Sequence, residues 1–352
     1  MSTLGDYQVE SKFDIDSLHP TYPYAYVWLL MLGDSYLPGV FVSVYSAKRT
    51  NPAADLVVMV TSDVSTDARQ TLSILAKVVE VPYIEHDVKP MKTERGRELY
   101  SKWMRFSFTK WNLLNLHRYK KVILMDADTI FIENIDNLFD LPTPAAPFNS
   151  PFIRPLGTIP DMIKNSLQSK TNALGPDKYI VHGYSVSTRV INDQLTKNGL
   201  TFTASTVLIS PSKKLFNGFI EMLNGLKGPF GFSTCYSAMD EQALAYYMSK
   251  ILKKKWTNIH QRYNLIGWKE RFLSPRDYPR VIHYISEKPW NATYNKWEDM
   301  VCWWKMAAEG LEVLNISPET IKLDPSEIDS VKSIKDKYLL KFGKDLWSAA
   351  NK

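Results

Sequence analysis

The sequence predicts an α/β protein built around a mostly parallel β-sheet. Two observations carry this: short apolar runs alternate with stretches of helical period, and 352 residues suffice for one large α/β domain or a domain with an appendage.

The elements follow in order. Residues 1–22 are polar and predict a loose arm. Residues 27–32 form an apolar strand, and Gly33-Asp34-Ser35 opens a helix with Pro38 in its first turn. Residues 56–60 are a second strand, after which Ser65 or Thr66 caps a helix to about residue 77. A strand over 78–84 and a helix near 96–116 lead into the strand 122–125. Beyond Asp140 the rhythm breaks. Ala145-Ala146-Pro147 is one more short strand, and a segment rich in Pro, Ser, Asn and Lys then runs over 149–201. Strand-like residues 204–209 follow, with Pro211 in the first turn of a helix to about Leu223. Residues 238–248 are helical, 280–284 are a last strand containing His283, and helical material with polar linkers runs from about Glu309.

Composition narrows the function classes. The 45% hydrophobic and 23% charged fractions are those of an ordinary soluble globular protein. A net charge of +6 suits an anionic small molecule, but the basic residues are scattered, which argues against nucleic acid. The run Lys253-Lys254-Lys255 reads as a solvated face. Cys235 and Cys302 match no metal or redox spacing and read as free thiols of a reducing compartment. The start is polar, and the best apolar stretch, 24–32, is too short to cross a bilayer, so a soluble cytoplasmic protein is expected. The sequons at Asn291 and Asn315 then read as chance.

Asp126 and Asp128 pose the functional question, because they sit at the end of the apolar run Val122-Ile123-Leu124-Met125. Ligands of an open parallel sheet gather beyond the carboxyl ends of its strands, and i, i+2 spacing puts both side chains on one side of an extended chain. Paired carboxylates repel unless a cation lies between them, and their oxygens suit Mg²⁺ or Mn²⁺. Asp-x-Asp alone is a chance-level motif, as Asp14-Ile15-Asp16 in the polar arm shows. Spacing leaves a metal site and a capped strand end both open.

Further motifs give the pair a context. The stretch L124-M-D-A-D-T-I-F-I-E-N-I-D-N-L-F139 resembles the Asp-x-Asp segment of the glycogenin-like retaining glycosyltransferases of family 8. So do Phe108-Thr109-Lys110, Ala145-Ala146-Pro147, Asp240 in A238-M-D-E-Q242, and V281-I-H-Y-I-S-E-K-P-W-N-A-T-Y294. The resemblance runs in consistent order from about Tyr26 to Trp304. It implies a GT-A-type, Rossmann-like nucleotide-sugar fold over 23–305, with 149–201 as an inserted segment and 306–352 as a C-terminal helical tail.

The same resemblance implies roles. Asp126, Asp128 and His283 would bind Mn²⁺, with Mg²⁺ as the alternative, and the cation would grip the diphosphate of a UDP-sugar. Lys288 would contact that diphosphate, although its gap from His283 is one residue shorter than in glycogenin. Leu30, Leu32, Tyr36, Lys110 and Ala127 would line the donor, with Tyr36 stacked on uracil. Asp240 would face the reactive carbon of the sugar. Glu241 stands where the family has Gln.

Three departures bear on the substrate. Phe148 replaces a sugar-facing Asp, Thr203-Ala204-Ser205 replaces Asn-Ser-Gly, and the self-glucosylated tyrosine position falls near Ile266. Glucose therefore stands only as a default, and self-glucosylation at that position is not supported. The segment 149–201 is expected to help form the acceptor site through His182, Tyr184 and Arg189. The expected activity is Mn²⁺-dependent transfer of a hexose to a glycan or other hydroxyl acceptor, by a protein without a membrane span and with a homodimer as one assembly. A non-catalytic sugar-nucleotide binder and a nucleotidyltransferase are the alternatives.

Overall fold

The computed structural model describes residues 18–90, 94, 97, 98, 101–148, 182–197, 202–226, 239–266, 279–285, 287–296 and 298–334. The N-terminal half alternates as expected: β1 (Tyr24–Leu30), α1 (Leu37–Arg49), β2 (Asp55–Val60), α2 (Thr66–Ser73) and β3 (Lys77–Glu80). A run of tight 3₁₀ turns, Met104–Asn115, precedes β4 (Lys121–Met125), β5 (Thr129–Phe131) and β6 (Ala145–Ala146). Then come β7 (Ser185–Val186), α3 (Thr188–Lys197), β8 (Thr206–Ile209), α4 (Lys213–Gly225) and α5 (Met239–Tyr246). Strands β9 (Trp256–Asn258), β10 (Leu265–Ile266) and β11 (Val281–His283) are followed by α6 (Glu298–Leu314) and α7 (Pro325–Lys332).

Eight strands form one sheet in the order β3-β2-β1-β4-β8-β6-β9-β7. The block β3-β2-β1-β4 is parallel, β8 runs antiparallel to β4, and β6 and β9 return to the direction of β4. Alternate side chains of β1 enter two cores: Tyr26, Trp28 and Leu30 on one face, Ala25 and Val27 on the other. Helices cover both faces, the α/β arrangement the sequence predicts. A second sheet, β10-β11-β5, sets His283 of β11 opposite Thr129 of β5.

Several boundaries differ from expectation, each for a local reason. Leu32 and Gly33 take left-handed backbones (φ 60° and 74°), which breaks the chain before the helix, so α1 opens at Leu37 rather than Gly33. Asp34 instead accepts a 2.9 Å hydrogen bond from the Ser65 amide. Ser65 caps α2 as expected, but that helix ends at Ser73, and Lys77 opens β3, where its ammonium pairs with Asp55 at 2.6 Å. Strand β3 ends at Glu80, two residues before Pro82, which has no amide to donate. Among the described residues the helix expected near 96–116 is mostly the 3₁₀ run 104–115. Ser212 caps α4, which leaves Pro211 outside its first turn.

Helix α6 passes through position 305 without a break. Its Trp303, Trp304, Met306 and Ala307 are buried in the same core as Trp28, each large side chain stabilising the fold by about 1.5–3 kcal/mol. The Tyr45 hydroxyl donates to Glu309 at 2.9 Å, and Arg49 pairs with the same carboxylate at 2.7 Å. A Cβ on Gly310 would lie 2.9 Å from the Tyr45 ring, so only glycine lets the helices approach this closely. Cys302 is buried and forms no disulfide among the described residues, and Cys235 lies outside them. Among the described residues no helix is long and apolar enough to cross a membrane.

Candidate active site

The apolar run of β4 carries Asp126 to the carboxyl edge of the large sheet, beside the end of β1. The chain does not stay extended through Asp128. Ala127 and Asp128 form a turn, closed by a 2.8 Å bond from the Thr129 hydroxyl to the Asp126 carbonyl. Pairing of β5 with β11 then brings His283 alongside, and the Tyr284 amide donates to the Asp128 carbonyl at 2.9 Å. His283 Nε2 lies 3.2 Å from Asp128 Oδ1 and 3.9 Å from Asp126 Oδ2. One donor atom from each of the three residues falls within 4.8 Å of the others.

Asn264, which sequence reasoning missed, sits behind this cluster. Its Oδ1 accepts from His283 Nδ1 at 2.9 Å, which fixes the ring with Nε2 toward the two carboxylates. Two carboxylate oxygens and one imidazole nitrogen brought this close fit a divalent cation such as Mn²⁺. The available signal was Tyr263-Asn264 just before a strand that pairs with β11, but that pairing is invisible in sequence.

Two lysines surround the carboxylates. Lys288 donates to Asp128 Oδ2 and to the carbonyls of Tyr284 (3.0 Å) and Ile285 (3.1 Å). Burial opposes the carboxylate of Asp128, but Lys288 and His283 outweigh it and hold that carboxyl well below its usual range. Burial likewise opposes the Lys288 ammonium, and Asp128 keeps it protonated beyond the ordinary lysine range. Lys110, on the 3₁₀ run, reaches Asp240 Oδ2 at 3.2 Å and Asp126 Oδ1 at 3.6 Å. Its burial is offset by Asp126, Asp240 and Glu241, which together push its pKa up.

Asp240 is fully buried in the first turn of α5, where the helix dipole favours an anion. The Trp111 indole donates to its carbonyl at 3.0 Å and ties the 3₁₀ run to this turn. Burial raises the Asp240 pKa despite Lys110. Glu241 accepts a 2.8 Å bond from the Ala204 amide, and burial followed by Asp240 pushes its carboxyl up to about 8.

The remaining expected donor residues are placed less evenly. Tyr36 is 38% exposed and meets Trp290 edge-on at 5.2 Å. Trp290 in turn lies over Gly39, where a Cβ would come within 2.4 Å of its ring and 2.7 Å of the Ala127 carbonyl. Leu32 is 38% exposed, with its amide on the Tyr83 hydroxyl at 3.0 Å, whereas the Leu30 side chain is wholly buried. His182 and Tyr184 come together near the end of β9: His182 stacks on Tyr263 at 5.1 Å, and the Tyr184 carbonyl accepts from the Asn258 amide at 2.8 Å. Arg189 is exposed on α3. Residues 149–181, most of the expected acceptor segment, lie outside the described residues. Phe148 is packed edge-on against Phe202 and Trp256 in the core.

Residues 28–150 match the protein-family description "Glycosyl transferase family 8", the stretch that holds Tyr36, Lys110, Asp126 and Asp128. This stretch resembles glycosyltransferase family 8. The chain is 27% identical over 278 residues to an uncharacterized protein of Acanthamoeba polyphaga mimivirus, covering 76% of this chain and 83% of that one. It is 32% identical over 112 residues to glycogenin-1 of Homo sapiens, covering 32% of this chain. That match spans only 31% of glycogenin-1. Among solved structures it is similar to the galactosyltransferase LgtC in complex with donor and acceptor sugar analogs, at 14% identity and a TM-score of 0.45, covering 81% of this chain and 95% of that one. The matched segment supplies the two aspartates, while His283, Lys288 and Asp240 come from beyond it.

Proposed function

We propose that this chain is a retaining glycosyltransferase of family 8 that moves a hexose from a UDP-sugar to a hydroxyl acceptor. The observation that carries the reading is the convergence of Asp126, Asp128 and His283, one possible ligand atom from each lying within 4.8 Å of the others. Asp126, Asp128 and His283 would hold Mn²⁺, which when bound offsets the charge that develops on a departing nucleoside diphosphate.

The other residues act by placement and charge. Lys288 and Lys110 supply ammonium groups at the rim of the carboxylates, where a diphosphate would lie. The exposed Tyr36 ring offers a flat face to a uracil base. Asp240, buried and ion-paired with Lys110, suits stabilisation of positive charge at the anomeric carbon better than covalent attack. Retention then follows from front-face displacement, with the leaving phosphate oxygen taking the proton of the incoming hydroxyl. Glucose is the default donor sugar.

The test is UDP release from UDP-glucose, UDP-galactose, UDP-N-acetylglucosamine and UDP-glucuronate with Mn²⁺. Slow hydrolysis of one donor is expected from the wild type, with loss in Asp128→Asn. Equal rates in both proteins would remove the assigned site, and binding of UDP-sugars without turnover would leave a sugar-nucleotide binder.

A further inference from the structure

A second charge cluster, opposite in sign, lies off the end of β9. That strand runs in the direction of β4, so its carboxyl end shares the sheet edge with Asp126. His260 caps the short turn that follows, accepting from the Arg262 amide at 3.1 Å, and this fixes Arg262 and Tyr263 in place. Asn137 holds the Tyr263 hydroxyl at 2.7 Å. Around that one ring gather His182, stacked at 5.1 Å, and the guanidinium carbons of Arg262 and Arg280, each 5.7 Å from its centre. The Arg280 amide donates to the Arg262 carbonyl at 2.7 Å and locks the two arginines side by side.

Like charges gathered beside an aromatic ring repel unless an anion lies among them. Arg280 has Glu133 at 3.4 Å and the Asn134 carbonyl at 2.8 Å. Arg262 has no carboxylate partner among the described residues, and its Nε is buried without a hydrogen bond. A π-face attracts a cation but does not neutralise it. Burial first, then His260, Arg262 and Arg280, hold the His182 imidazole toward its neutral form, as unbalanced positive charge would. None of the three side chains is sealed off, since His182, Arg262 and Arg280 are all partly exposed. The planar guanidinium fork matches carboxylate and phosphate oxygens.

We infer that His182, Arg262 and Arg280 form an oxyanion site beside the donor cluster, one that takes a carboxylate or phosphate carried by the acceptor. The site abuts the donor cluster through Asn264, which follows Tyr263 and bonds His283. It differs from the ammonium groups of Lys110 and Lys288, which already face carboxylates. That the anion belongs to an acceptor rests on the transferase reading; the anion site itself does not.

The experiment uses the full chain with labelled histidines, at pH 7.5, with UDP and Mg²⁺ occupying the donor site. The His182 resonances are followed during titration with inorganic phosphate, methyl glucuronide and neutral methyl glucoside. They are expected to move with phosphate or methyl glucuronide and not with methyl glucoside, and which of the two binds tells a phosphorylated acceptor from a carboxylated one. Arg262→Gln should weaken that binding about tenfold or more while UDP affinity stays unchanged. Arg262→Lys, which keeps the charge but loses the fork, should still weaken it several-fold and serves if the glutamine variant does not fold. A His182 signal indifferent to both anions overturns the site. If UDP fails to bind while phosphate still moves His182, the donor reading fails and the anion site stands.

Discussion

Replacing Glu241 by Gln should make the protein more stable at high pH and leave it unchanged at low pH. The Glu241 carboxyl is buried beside Asp240, and its pKa rises from the ordinary 4.5 to about 8. Between those two values the folded state keeps a proton that the unfolded chain has released, so stability falls as pH rises through this window. At about 1.4 kcal/mol per pH unit, the loss approaches roughly 5 kcal/mol by pH 8 and then levels off. Glutamine keeps an acceptor oxygen for the Ala204 amide and removes the ionisation. Thermal melts of both proteins from pH 5 to pH 9 provide the assay. The two should coincide near pH 5, with the variant ahead by about 5–10 °C at pH 9, taking roughly 2 °C per kcal/mol for a chain of this size. A difference that does not change with pH, or a wild type that gains on the variant as pH rises, would refute the assignment of a protonated Glu241.

Three further outcomes follow from the same geometry. Gly39→Ala should cost about 1–3 kcal/mol and weaken UDP binding, because the new methyl displaces Trp290 and with it Tyr36; unfolding in urea and a UDP titration check both. Asn264→Leu should lower Mn²⁺ affinity about 10–100-fold, measured by calorimetry, because it frees the tautomer of His283. Mn²⁺ at a hundredfold excess over its Kd should stabilise the wild type by about 2.7 kcal/mol, read as a rise in Tm, and do nothing for Asp128→Asn.

Local signals made much of the fold legible. The buried strands β1, β2 and β4 and the capped helix α2 follow from apolar runs and a serine cap, so their positions hold to within a few residues. What misled was non-local or conformational. The left-handed Leu32 moved the start of α1, and nothing in G-D-S announces a positive φ at the leucine before it. The aspartates were expected to share a side through an extended chain, yet a turn separates them and β5–β11 pairing gathers the donors. Asn264 and the Arg262–Tyr263–Arg280 grouping depend on strand neighbours far apart in the chain, which no spacing rule reaches.

The protonation of Glu241 also sets the charge that a donor would meet. With Glu241 neutral, Asp126, Asp128 and Asp240 face Lys110 and Lys288, and the group carries one negative charge in excess. A divalent cation reverses that sign and favours a diphosphate. Ionising Glu241 adds a buried negative charge beside Lys110 and cancels the advantage. UDP affinity in the presence of Mn²⁺ should therefore fall for the wild type above about pH 8 relative to Glu241→Gln, since titration of the nucleotide itself cancels in the ratio. A ratio that stays constant from pH 6 to pH 9 would mean that this carboxyl does not set the field at the donor site.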